Sequence, residues 1–180
     1  MILVRQKKAW EEFAKKHNLR YESQAVLKSP VLRGLFNGIP VEIFSDSQIS
    51  GKSREKGTRT IIQMSLKAPM PTEGAISSMP FKNFVDGLAL PDTYQGEGGL
   101  TLSADVYNRV KNEAAIKPFF TAERIAALNA ILSIKTAPTL LIFGTNETVL
   151  RIESSDPFDD KSKLERFLTK ATDTAKIISI

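Results

Sequence analysis

Apolar residues recur at two spacings along this chain, and the spacing predicts the element. Leu164, Phe167, Leu168, Ala171, Ala175 and Ile178 recur at i, i+3, i+4, i+7, i+11 and i+14, and so form one helical stripe. Just upstream, short apolar runs containing Leu140, Ile142, Val149, Leu150 and Ile152 enclose Gly144-Thr145-Asn146 and predict a β-hairpin. Between them, Asp156-Pro157 offers a helix N-cap followed by the proline that suits a first helical position. Asp159 and Asp160 favour the positive end of the helix dipole. Burying Leu164, Phe167, Leu168 and Ile178 against the hairpin is worth roughly 1.5 to 3 kcal/mol each before chain entropy is counted. A charge at Phe167 is therefore expected to unfold this end of the molecule.

At the amino end a helix is predicted from about Ile2 to His17, with Leu3, Trp10, Phe13 and Ala14 on one side and Asn18 as its stop. Leu19 to Leu27 reads as a first strand ended by Pro30. Val31 to Phe36 and Ile39 to Phe44 are two further strands joined at Asn37-Gly38, a pair that readily takes the positive φ angles of a type I′ turn. Pro40 cannot donate a ladder hydrogen bond, which places it at a strand start or an edge.

Ser45 to Gly57 is polar, basic and glycine-bearing, and reads as a mobile loop. Thr58 to Lys67 follows as a strand with Thr60, Ile62, Met64 and Leu66 on one face, and with Ile61 as the apolar exception on the other. Gly74 to Met79 predicts a short strand, and residues 80 to 99 a packed irregular connection. Leu100 to about Lys111 returns to the sheet. Thr121 then caps a helix from Ala122 to about Ser133 carrying Ile125, Leu128 and Leu132, with Phe119-Phe120 packing beneath its start.

These elements predict an α+β domain: an antiparallel sheet of roughly six to eight strands with three main helices, mainly on one face. The alternative architecture is a pleckstrin-like barrel closed by the last helix. One domain over residues 1–180 is expected, with two lobes joined near 80–99 as a variant of it. The 180 residues, 42% of them hydrophobic, suffice for a real core.

Composition removes some chemistry. With no cysteine there is no disulfide, thiolate nucleophile, iron–sulfur cluster or thiolate zinc site. The opening Met1-Ile2-Leu3-Val4 is shorter than the roughly 7 to 15 apolar residues of a signal peptide, and no run reaches the roughly 20 of a membrane span. A soluble protein, cytoplasmic or membrane-peripheral, is expected; a chain whose upstream anchor had been removed would share these features. The net charge of +5 is dispersed and fits a solvated surface.

Few residues then remain as candidates for a site. Lys52, Arg54, Lys56 and Arg59 form the sharpest local excess of positive charge and are candidate contacts for an anion or a partner. Gly51-Lys52-Ser53 copies the end of a phosphate-binding loop, but Asp46 occupies the place of the leading glycine and a strand follows, so a polar hairpin loop is the better reading. Gly96-Glu97-Gly98-Gly99 lacks dinucleotide-loop spacing, and Asn146-Glu147-Thr148 reads as turn chemistry rather than a glycosylation acceptor. His17 is the sole histidine and cannot form a histidine-pair metal site; Asp156, Asp159 and Asp160 lack the spacing of a calcium loop. No cofactor, metal or catalytic residue is assigned.

Trp10-x-x-Phe13-Ala14, Asn18-Leu19-Arg20-Tyr21, Arg33-Gly34-x-x-x-Gly38-x-Pro40-Val41-Glu42-Ile43 and Thr58-Arg59-Thr60-Ile61-Ile62 together resemble a family of bacterial proteins of unknown function. Phe120-Thr121-x-Glu123-Arg124-x-x-x-Leu128 and Leu164-x-x-x-Leu168 extend the resemblance across most of the chain. It implies architecture and a bacterial origin, and no activity. Some members carry membrane segments ahead of this domain.

The expected function is a non-enzymatic interaction module for a protein or membrane-proximal partner. Ten phenylalanines and the apolar 80–102 region favour, as alternatives, a carrier of an apolar small molecule or lipid; the basic 52–59 stretch favours a weak nucleic-acid binder. An enzyme using only Asp, Glu, Lys, Ser or Tyr leaves no spacing signature and stays open.

Overall fold

The computed structural model describes residues 2–23, 28–49, 56–91, 102 and 105–179. Along it run α1 (Ile2–His17), β1 (Arg20–Glu22), β2 (Val31–Phe36), β3 (Ile39–Ile49), β4 (Lys56–Leu66), β5 (Gly74–Ser78), α2 (Lys82–Asp86), β6 (Val106–Val110), α3 (Glu113–Ile116), α4 (Ala122–Leu132), β7 (Thr139–Phe143), β8 (Thr148–Ser154) and α5 (Lys161–Ser179). The eight strands form one antiparallel sheet in the order β1-β2-β3-β4-β8-β7-β5-β6. No ladder among the described residues joins β1 to β6, so the sheet is open and the pleckstrin-like barrel is not formed.

The predicted turn at Asn37-Gly38 is present, with φ of 52° and 83°. The stop of α1 is equally local: Asn18 adopts φ 54° and Leu19 N–H donates to the Ala14 carbonyl at 2.9 Å, the closing bond of a left-handed helix end. Only Arg20–Glu22 of the expected first strand is extended, and residues 24–27 lie outside the described residues.

α1, α3, α4 and α5 lie on one face of the sheet. Between them and the strands, Trp10, Phe13, Leu32, Ile43, Ile62, Met64, Leu150, Leu164 and Leu168 make one buried cluster. Trp10 is fully buried and donates its indole N–H to the Phe158 carbonyl at 3.2 Å, so its polar atom is satisfied inside the core. Gly74 is required by a close approach: a Cβ there would stand 2.5 Å from the Phe143 ring on the neighbouring strand.

Three expectations need correction. First, α5 begins at Lys161 rather than beside Asp156-Pro157. Phe158 plugs the core at φ 50°, a conformation no right-handed helix contains, and Asp156 instead closes a turn by accepting the Phe158 N–H at 2.8 Å. Asp160 is the cap, accepting the Lys163 N–H at 3.0 Å. Second, Ser45 to Gly57 is not wholly a loop, because β3 continues to Ile49 and β4 starts at Lys56. Third, the irregular 80–99 connection contains the short helix α2, while residues 92–99 lie outside the described residues.

The true cap carries a testable consequence. The Lys163 backbone N–H holds the Asp160 carboxyl below its ordinary value. Unfolding removes that bond and returns the group to about pH 3.9, so the cap's contribution is complete above that pH and is lost as pH falls through the depressed folded value. Asp160→Ala is expected to lower the thermal midpoint at pH 7 and to flatten its fall below about pH 4. Asp160→Asn keeps an acceptor and is expected to retain most of the midpoint while losing the same pH dependence. Thermal unfolding followed by circular dichroism at a series of pH values checks both.

Candidate functional site

The face of the sheet opposite α1, α4 and α5 is built by the other half of each strand's alternation. One lateral row crosses all eight strands on it. From Arg20 it passes through Arg33, Glu42 and Gln63 to Arg151, and then through Leu140 and Ser77 to Tyr107. The row changes character where helix cover begins. Its apolar end lies with Ala75, Val85 and Leu140 in a second buried cluster, where α2 packs on β5 and β6. Its polar end, on β1 to β4 and β8, has no described helix over it.

A five-residue helix such as α2 is too short to be stable alone, and a polar clamp holds it. Asp86 accepts from Lys82 and from the Tyr107 hydroxyl, each at 2.5 Å, and its carbonyl accepts from Arg109 at 3.0 Å. The Lys82 ammonium, and then the Tyr107 hydroxyl, hold the Asp86 carboxyl below its ordinary value. The same bond pushes the Tyr107 phenol up. The Lys82 to Asp86 spacing is visible in the sequence as a helical i, i+4 pair; Tyr107 and Arg109 reach it only through the pairing of β5 with β6.

On the uncovered part, charges are matched pairwise. Arg33 donates to Glu42 at 2.8 and 2.6 Å and to Glu22 at 3.2 Å, and Arg20 lies 2.9 Å from Glu22. Deeper on the same face, Glu153 is almost fully buried between two guanidinium groups. Arg151 donates to one carboxylate oxygen at 3.0 and 2.8 Å, and Arg59 to the other at 3.3 Å. Ile61, the apolar exception on this strand face, is fully buried and stands in register with Glu153 on one side and Phe44 on the other.

Of the four candidate anion contacts, Arg59 is the one whose side chain is described. Lys52 and Arg54 lie outside the described residues, as do Gly51, Ser53 and the glycines at 96, 98 and 99. Lys56 opens β4 opposite Ile49, and Arg59 is engaged by Glu153. What the sequence reading missed is the form of this region. β2 reaches β3 only as far as Ile43 where it pairs, and β8 reaches β4 only as far as Thr60, whereas β3 and β4 pair on through Asp46 with Arg59, Ser47 with Thr58, Gln48 with Gly57 and Ile49 with Lys56. The hairpin therefore extends past the ladders on both sides as a two-stranded ribbon.

The remaining candidates are held in ordinary structural contacts. His17 packs between Phe13 and Phe36 at ring distances of 4.6 and 4.9 Å, with Nε2 3.3 Å from Glu165 but not aligned for a hydrogen bond. Asp159 pairs with Arg5 at 3.5 Å and Asp156 with Lys163. Thr148 is buried and donates to the Ala68 carbonyl at 2.5 Å. Among the described residues no group of three or more His, Cys, Asp or Glu side chains is arranged to hold a metal ion, and no helix is long and apolar enough to cross a membrane.

No family model matches the chain, and no curated protein matches it. One solved structure does. The fold is similar to that of the mycobacterial trehalose monomycolate transport factor A, TtfA, with a TM-score of 0.55 at 14% identity, covering 96% of this chain and 94% of that one. At that identity the likeness is one of fold, and it extends over nearly the whole of both chains.

Proposed function

We propose that the chain is a non-enzymatic binding module that engages a partner through the β3–β4 ribbon and the polar sheet face at its root. The observation that carries this reading is the ribbon itself. Past Thr60 and Ile43 its backbone has no ladder partner on either side among the described residues, so both edges present donors and acceptors to which another strand can add. Site-specific photo-crosslinking in the host cell tests it. A probe at Thr58 is expected to give a discrete protein adduct that a probe at the exposed Lys135 does not; equal labelling from both positions, or none from Thr58, defeats it.

A second reading, carriage of a lipid or other apolar small molecule, is favoured by the fold likeness to a transport factor named for trehalose monomycolate. Native mass spectrometry of the protein purified from its host is expected, on that reading, to show a bound acylated species, and a ligand-free mass argues against it. The nucleic-acid alternative is weakened by the engagement of Arg59 with Glu153, since a paired guanidinium offers a phosphate less than a free one.

A further inference from the structure

A groove of about 640 Å³ opens on the polar sheet face where the ribbon leaves the sheet, and its walls include Lys28, Arg33, Glu42, Phe44, Asp46 and Gln63. That volume lies within the range of small-molecule sites. The charges along the whole lining cancel, two positive (Lys28 and Arg33) against two negative (Glu42 and Asp46), so the lining itself carries no net charge that would select an anion or a cation. Arg33 and Glu42 are bonded to each other, whereas the side chains of Lys28, Asp46 and Gln63 make no hydrogen bond or ion pair among the described residues. They leave an ammonium donor, a carboxylate acceptor and an amide that does both. Half-buried Phe44 adds an apolar surface beside them.

From this combination we infer that the groove binds a neutral polyhydroxylated ligand, a sugar or the sugar headgroup of a glycolipid. Vicinal hydroxyls donate to a carboxylate and exchange bonds with an amide and an ammonium, while the carbon–hydrogen face of a pyranose ring lies against an aromatic ring. A phosphate or a nucleic acid would meet Asp46 and Glu42; a simple cation would meet Lys28 and Arg33. The inference rests on the binding-module reading and gives that face a ligand class.

Two-dimensional amide NMR of the full chain tests it, with trehalose and glucose as soluble probes and octyl glucoside below its micelle concentration as the headgroup probe. Amides of 28, 29, 31, 42–46 and 58–63 are expected to shift with each sugar at millimolar concentration. Equal affinity for glucose and octyl glucoside identifies a free sugar site, and tighter binding of the octyl form a glycolipid site; either supports the inference. Phe44→Ala and Gln63→Ala are each expected to weaken binding about tenfold, while Arg166→Ala in the separate groove between α4 and α5 leaves it unchanged. Gln63→Ala, at a half-exposed site, serves if Phe44→Ala unfolds. The inference is overturned by no shift at tens of millimolar sugar, by shifts centred elsewhere, or by inorganic phosphate or glycine shifting the same amides as strongly. Such a failure with the Thr58 crosslink intact removes the ligand class alone, and loss of the crosslink removes the module.

Discussion

Leu168→Asp is expected to leave the chain unfolded at room temperature, and Phe167→Asp, one residue away, is expected to fold. Leu168 is fully buried on the α5 stripe among the residues of the main core, where α5 packs on β3 and β4. Replacing it forfeits roughly 2 to 3 kcal/mol of apolar burial and places an unpaired carboxylate where ionisation costs several more, a sum comparable to the entire stability of an ordinary domain. Phe167 lies at the rim. Its ring is half-buried, 5.2 Å from that of Phe158, and it borders an open surface groove, so an aspartate there can turn its charge to water. The expected cost is about 1 to 2 kcal/mol. Circular dichroism and urea denaturation of the two variants separate the outcomes; equal loss in both would mean that α5 presents a different face to the sheet. The sequence periodicity alone put both residues inside, because a stripe of three- and four-residue steps is wider than the part of it that a flat sheet covers.

That distinction marks how far the chain could be read without coordinates. Elements fixed by neighbours in sequence were legible: Asn37-Gly38 as a turn, Asn18 as the stop of α1, Thr121 as the cap of α4, where its side chain accepts from Arg124 N–H. Elements fixed by distant residues were not. Residues 45 to 49 carry no alternating apolar pattern, so a strand paired through its ladder reads in the sequence as a loop. Asp156-Pro157 resembles a helix start more closely than Asp159-Asp160 does, yet the need to seat Phe158 against Trp10 and Phe167 moves the helix onward by four residues. The candidate site shows the same division. The charges on 52–59 were visible as a run, but that Arg59 points at Glu153, ninety-four positions away, follows only from the pairing of β4 with β8. The groove likewise draws on Lys28, β2, β3 and β4, which no linear pattern unites.

Glu153→Ala is expected to cost about 3 kcal/mol, well above the cost of removing either arginine. The carboxylate is the shared member of a triad whose two cations are partly solvated, Arg59 with 41% and Arg151 with 30% of the side chain exposed. Without it two like charges are left with no shared counter-ion, and breaking a pair by deleting its buried carboxylate costs more than the pair contributed. Arg59→Ala leaves Arg151 still donating twice to Glu153, so a loss of about 1 kcal/mol is expected. The Glu153→Ala/Arg59→Ala double variant is expected to be no less stable than Glu153→Ala alone, because it relieves the repulsion that the first change creates. Urea denaturation of the three variants checks the cycle, and additive losses would show that Arg59 and Glu153 act independently. Where Glu153→Ala remains folded it also bears on binding: it releases two arginines at the root of the basic ribbon and is expected to retain a labelled oligonucleotide at low salt more strongly than the native chain, with a steeper loss as salt rises. Unchanged retention would mean that the Arg59 guanidinium is already available to phosphate, and that Glu153 does not restrain this face from binding anions.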